Sequence, residues 1–249
     1  MSSHRIGLLV PSSNTTMETE LPEVLRRTGA LSGERFTFHS ARMRMKTVEP
    51  SELAAMNVDA ERATIELADA AVDVMAYACL VAVMAEGVGA HPAVEARLTA
   101  TAAAAGDPVD VVSSAGALIE SLHYLGVTKT AIVAPYVKQL TTLVIDYIEA
   151  DGIQVHDAIS LEVDDNLAVG RLDPRELPEI ATRLDTRGVD AVVLSACVQM
   201  PSLAAIPHAE KALGMPVITA ATATSWKVLR SMGLPAVAEG SGALLRAVA

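Results

Sequence analysis

The chain has 249 residues, 51% of them hydrophobic but only 3% aromatic, and carries a formal charge of -11. That length buries a substantial core without disulfide staples, and a filling of Ala, Val, Leu, Ile and Met is typical of layered α/β folds. The acidic balance, with no cluster of Lys and Arg, argues against a nucleic-acid partner, and the longest apolar stretch, Val74 to Ala85, falls well short of the ~20 residues needed to span a membrane.

In chain order, apolar runs at Ile6 to Val10, Phe36 to Ser40, Val74 to Cys79, Val109 to Val112, Ala131 to Ala134, Ile153 to His156, Ala191 to Cys197 and Val217 to Ala220 read as strands. The first run is shorter than the ~7 to 15 residues of a signal-peptide core, so a cytoplasmic location with reduced thiols is expected. Thr15 and Glu18 have capping-box spacing, which lets the next helix start without Asn14 as its cap. Leu53, Met56, Ala60, Ala63 and Leu67 recur at helical spacing, as do Leu177, Ile180 and Leu184 behind a helix start at Asp173 and Pro174. Strands alternating with helices predict parallel sheets with crossover helices.

The two halves repeat the same order, each with a third strand ending in the half's single cysteine. Val10-Pro11 answers Ala134-Pro135, and Pro108-Val109 leads to Gly126 as Pro216-Val217 leads to Gly233. An internal duplication is the simple reading. Ligands of parallel sheets bind outside the carboxyl ends of the strands. Two lobes related by an approximate two-fold axis would therefore bring Cys79 and Cys197 together across one cleft. A thiolate is a strong nucleophile; the competing reading makes each cysteine a small buried hydrophobe.

Three further polar side chains follow strand ends. Asn14 closes Pro11-Ser12-Ser13-Asn14, Tyr136 stands in the corresponding place of the second half, and Asn166 lies in Asp164-Asp165-Asn166. Each is a candidate donor to a bound carboxylate, or else an ordinary turn residue or a tyrosine that suits an interface. Gly87-Val88-Gly89 and Gly240-Ser241-Gly242 lack the third glycine of a dinucleotide fingerprint, and neither a Walker loop nor a Gly-x-Ser-x-Gly elbow occurs. No Cys-x-x-Cys or His-x-x-x-His pair occurs, so no metal is expected.

Pro11-Ser12-Ser13-Asn14, Ala78-Cys79-Leu80-Val81-Ala82-Val83 and Ser195-Ala196-Cys197-Val198-Gln199-Met200-Pro201-Ser202, with Ala134-Pro135-Tyr136 and Asp165-Asn166, together resemble the maleate cis-trans isomerases of the aspartate/glutamate racemase superfamily. The resemblance implies two pseudo-symmetric Rossmann-like α/β lobes, each with a mostly parallel sheet flanked by helices and the active site between them, no cofactor, and a homodimer. It implies residues 1–113 plus 223–249 as the first lobe and 114–222 as the second. Cys79 matches the nucleophile and Cys197 its proton-donating partner. Asn14, Tyr136 and Asn166 match substrate-binding side chains, with main-chain contacts near Leu80, Val81, Val198 and Gln199.

The chemistry is consistent with the residues. Turnover near ~10 per second corresponds to a barrier of about 16 kcal/mol, far below the cost of twisting an alkene, so unassisted rotation is excluded. Addition of Cys79 to maleate would leave a single bond free to rotate, and elimination would release fumarate. Cys197 would either exchange a proton at the neighbouring carbon or stabilise the carbanion-like intermediate. In an acidic protein the dicarboxylate would need local donors, with Ser12 among them and no dominant arginine.

Three alternatives compete with this reading. An aspartate, glutamate or hydantoin-type racemase would use two cysteines as opposed bases, but Leu80, Val81, Ala82 and Val83 offer no side-chain acceptor for an ammonium group. An arylmalonate-type decarboxylase would need one thiol. A small-ligand binding protein would leave both thiols inert.

Overall fold

The computed structural model describes residues 2–106 and 108–247. The first lobe runs β1 (Ser3–Pro11), α1 (Met17–Ser32), β2 (Arg35–Met43), α2 (Pro50–Asp69), β3 (Val74–Tyr77), α3 (Leu80–Met84), α4 (His91–Ala105) and β4 (Asp110–Ser113), and is followed by α5 (Ser114–Tyr124). Then come β5 (Lys129–Ala134), α6 (Lys138–Glu149), β6 (Gln154–Ser160), α7 (Asn166–Val169), α8 (Leu177–Ala181), β7 (Ala191–Ser195), α9 (Ile206–Leu213), β8 (Val217–Thr219) and α10 (Ala220–Ser231). The strands form two four-stranded sheets, ordered β2-β1-β3-β4 and β6-β5-β7-β8. Every pairing is parallel. The second order is the first traced again, as a duplication requires.

Helices cover both faces of the inner strands, so these are apolar without alternation: every residue of β3 and of β7 is buried. The helix expected around Leu53 to Leu67 is α2, and all five of its spaced apolar residues are buried. The last helix, α10, packs on α1, α5, β3 and β4. Its start is written by Thr219, whose hydroxyl accepts the Thr222 amide while Thr222 answers the Thr219 amide in a reciprocal cap.

All eight expected strands are present, with three local differences. Both cysteine-bearing strands stop two residues early, because their neighbours run out: β4 pairs last at Tyr77–Ser113 and turns directly into α5, and β8 pairs last at Ser195–Thr219. The cysteines therefore stand in the loops just beyond the sheet. The helix expected from Asp173 splits into a 3-10 turn at Pro174–Glu176 and the short α8, leaving the buried Leu184 beyond it. Pro178 lacks the amide that would have bonded back to Pro174. Finally, α1 starts at Met17 with no capping box at Thr15 and Glu18. Glu18 pairs instead with Arg42 on β2.

Register places the site. Leu9 lies beside Tyr77, so the chain leaves β1 and β3 at the same edge of the sheet, carrying Asn14 and Cys79 there together. The equivalent edge of β5 and β7 carries Tyr136 and Cys197.

Two glycines set the tight α1–β2 turn at the opposite edge of the sheet, for different reasons. Gly33 has φ +80 and open space around it, whereas a Cβ on Gly29 would stand 2.5 Å from the Glu34 carbonyl oxygen. Gly29→Ala is expected to lower stability by about 1–3 kcal/mol through overpacking. A urea-unfolding midpoint equal to that of the parent would refute the assignment.

Candidate active site

The loop after β1 shapes the first wall. Its turn is closed by the Asn14 amide on the Pro11 carbonyl (2.9 Å), and Asn14 Oδ1 accepts the Met17 amide at the start of α1 (3.1 Å). Asn14 thus serves the helix start after all, against the sequence expectation, and this fixes its side chain. Arg42 holds the same loop through the Ser12 and Asn14 carbonyls (3.1 and 3.0 Å). The Nδ2 of Asn14 is left buried with no hydrogen-bond partner among the described residues. A buried donor without an acceptor is costly, and a ligand oxygen relieves it.

Cys79 caps α3 in an extended conformation and is 4% exposed; Cys197 is 3% exposed. Burial pushes the Cys79 thiol up to about 12, with the Ala82 amide pulling the other way and the neighbouring Cys197 charge pushing further up. Burial also raises Cys197, but three donors oppose it: the Tyr136 hydroxyl and the amides of Gln199 and Met200. The Gln199 amide lies 3.3 Å from the sulfur. Tyr136 itself is held well above its ordinary value, first by burial and then by the Cys197 charge, so its phenol stays a donor.

These groups line one cavity. Cys79, Cys197, Asn14, Tyr136 and Asn166 meet there, with Leu80, Val81, Val198 and Gln199 around them, and the space open to the centre of a water molecule is only about 20 Å³. No charged side chain is among its lining residues. Among the described residues, no group of three or more His, Cys, Asp or Glu side chains gathers as a metal site would need.

Ser12 is placed elsewhere. It is exposed, and its hydroxyl donates to the Met45 carbonyl (3.2 Å) and accepts the Met45 amide (3.1 Å). Its role is to pin the segment after β2, and that segment supplies two lining residues absent from the sequence reading, Met45 and Val48. The strand-end rule that picked out the other loops applies equally to β2. Beyond Val48 lies a larger hollow of about 460 Å³, which shares Val48, Tyr136 and Asn166 with the inner cavity and is edged by Lys46, Glu49, Asp164 and Asp165.

The Gln199 side chain clamps the two walls together. Its Nε2 donates to the carbonyls of Ser13 (2.9 Å) and Asn166 (3.0 Å), and its Oε1 accepts the Thr15 amide (3.2 Å). Asn166 Nδ2 adds a bond to Ser13 Oγ (2.6 Å). Gly170 leaves room for this clamp: a Cβ there would stand 2.7 Å from Gln199 Nε2. Gly170→Ala should displace the amide and let iodoacetamide reach the two thiols of the folded protein roughly tenfold faster. Peptide mass spectrometry reads the rates, and rates equal to the parent's would mean the clamp does not hold the cavity shut.

The arrangement has close counterparts. The family model described as Arylmalonate decarboxylase matches residues 6–245. A maleate isomerase of Geobacillus stearothermophilus is 54% identical over 98% of both chains. The crystal structure of a cysteine-to-alanine variant of the Pseudomonas putida S16 maleate isomerase with maleate superposes with a TM-score of 0.96, at 49% identity, covering 98% of this chain and 97% of that one. A Nocardia farcinica maleate cis-trans isomerase, a cysteine-to-serine variant with a covalently bound succinylcysteine intermediate, gives 0.94 at 47% identity, covering 99% and 100%. Such identity along the full length places the chain in that family, and within it among the maleate isomerases.

Proposed function

We propose that this protein isomerises maleate to fumarate without a cofactor, by reversible addition of Cys79 to the alkene. The observation that carries the reading is the shared cavity: two thiols and the unpartnered Asn14 amide face one nearly closed, uncharged space. One carboxylate of the substrate would take Asn14 Nδ2, and Tyr136 and Asn166 would serve the rest, with the first amides of α3, at Leu80 and Val81, and the Val198–Gln199 backbone as main-chain donors. Amides at a helix start have no intrahelical acceptor, and hydrogen bonds to a charged acceptor are the strong ones.

In the proposed cycle the two thiols hold one proton between them. With that proton on Cys197, the Cys79 sulfur forms a bond to one alkene carbon, and the π pair moves to the other carbon. Cys197 transfers its proton there, giving a succinyl-cysteine whose central bond is single and rotates. Cys197 then recovers a proton from the same carbon, the double bond reforms in the trans geometry, and the bond to Cys79 breaks. Atoms and protons balance with no net change in the enzyme. The three donors around Cys197 are suited to its alternation between thiol and thiolate.

A cavity of this size does not admit a dicarboxylate, so the Met45–Val48 segment must move outward, and the outer hollow gives the route. The same reading takes the protein as a cytoplasmic homodimer, with lobes at 1–113 plus 223–249 and 114–222. The packing of α10 on α1, β3 and β4 supports returning the C-terminal segment to the first lobe, while its packing on α5 argues for carrying that lobe past residue 113. A decarboxylase would need one thiol, whereas here two share the cavity.

Proton NMR of the purified protein with maleate should show fumarate appearing, with Cys79→Ala inactive. Cys197→Ser should accumulate an adduct of maleate mass on Cys79. An active Cys79→Ala variant would end the covalent scheme. Asn14→Ala should lower kcat/KM by about 10- to 100-fold, the worth of one hydrogen bond to a charged group. Burial raises both thiols, so the pair resists losing its proton. The rate should therefore climb with pH from 6 to 9, with an apparent pKa belonging to the pair. A rate that falls over this range would contradict the thiolate requirement.

A further inference from the structure

One buried ionisable group has no part in that cycle. Glu20, on α1 of the first lobe, is 8% exposed, and its carboxylate reaches across to the loop that follows Cys197 in the second lobe. Oε1 accepts the amides of Ser202 (2.5 Å) and Leu203 (2.7 Å), and Oε2 accepts the Ser202 hydroxyl (3.2 Å). Thr16, immediately before α1, stands four residues earlier, and its hydroxyl donates to the Gln199 carbonyl (2.7 Å).

Burying a carboxylate is expensive, and a hydrophobic contact would join two lobes more cheaply. A carboxylate that accepts two consecutive amides differs from an apolar contact in fixing direction: it sets the course of the backbone. Thr16 grips the loop at residue 199 and Glu20 at 202 and 203. Between and beside those grips lie the Gln199 amide, 3.3 Å from the Cys197 sulfur, and the Met200 amide, which also opposes the burial penalty on that thiol.

We infer that Glu20, assisted by Thr16, is a positioning residue for Cys197: from the opposite lobe it fixes the 198–203 loop so that the Gln199 and Met200 amides stay aimed at the sulfur. The inference rests on the proposed reaction only for its effect on turnover, since the state of Cys197 is measurable without substrate. Cys79 takes its backbone donor from its own lobe, at Ala82, and does not depend on Glu20.

The test follows iodoacetamide labelling of each cysteine against pH in the full-length protein without substrate, read by peptide mass spectrometry, beside maleate kinetics. Glu20→Ala should move the Cys197 labelling profile alkaline by about one pH unit while leaving that of Cys79 in place. It should lower kcat by about tenfold with KM within about twofold. Glu20→Gln keeps an oxygen for both amides and should restore most of the parent behaviour. Thr16→Val should shift Cys197 in the same direction and covers the case in which Glu20→Ala does not fold. Equal shifts of both cysteines, or a lowered melting temperature with an unmoved Cys197 profile, would make Glu20 structural glue and overturn the inference. A parent enzyme that leaves maleate unchanged would instead defeat the proposed reaction, with the labelling result still standing.

Discussion

Burial penalises a thiolate, and two cysteines buried on opposite walls of one cavity penalise each other as well. Desolvation raises both thiols, and a charge on Cys197 raises Cys79 further. Only one of the two sulfurs can readily carry a charge at a time, and in the proposed cycle this lets a single proton pass between them and the substrate. The surrounding structure tunes that balance. Tyr136, Gln199 and Met200 offer donors to Cys197, against one from Ala82 to Cys79, so in the proposed cycle Cys197 is suited to hold the charge once its proton has passed to the substrate carbon.

The fold brings those walls together by repetition. In two sheets of the same strand order, β3 and β7 each lead within two residues to a cysteine, and the two cysteines line one cavity. The halves are not equivalent, however. Asn14 accepts the first amide of α1 and keeps an unpartnered Nδ2, whereas its counterpart in the second lobe is a phenol that opposes the burial penalty on Cys197. The loop after Cys79 becomes α3 immediately, while the loop after Cys197 runs on through Gln199 and Ser202, held by groups of the other lobe. Divergence within the repeat is what turns a symmetric pair of thiols into a pair with distinct neighbours.

Much of this was legible in the chain. Strand alternation and the paired Val-Pro and Ala-Pro endings fixed the architecture, and apolar runs ending in Cys pointed to the crevice. Local patterns misled where tertiary contacts decided the outcome. Thr15 and Glu18 have the spacing of a cap, yet Glu18 is taken by Arg42 from β2, so Asn14 does the capping. Ser12 stands in the right loop for a ligand but points its hydroxyl at the backbone of Met45. Val48 and Glu20 carried no sequence signal of their own: one is an aliphatic residue in a loop, the other an acid in a helix's first turn. Their significance comes from what lies opposite them, residues distant in the chain that share a cavity with Val48 and the Ser202–Leu203 backbone for Glu20.

The absence of a cation among the cavity's lining residues fits the same logic. An arginine between the sulfurs would favour thiolates on both, and would hold the two carboxylates in place through a reaction that must swing one end of the substrate about a new single bond. In the proposed cycle neutral donors such as the Asn14 amide and the Tyr136 phenol would bind the anion where water is excluded and release it at modest cost. The buried carboxyl group that meets the Cys197 loop is instead Glu20, satisfied by that loop's own amides and hydroxyl. In the proposed cycle that group would hold the backbone still, and the substrate would sit among neutral groups that let it turn.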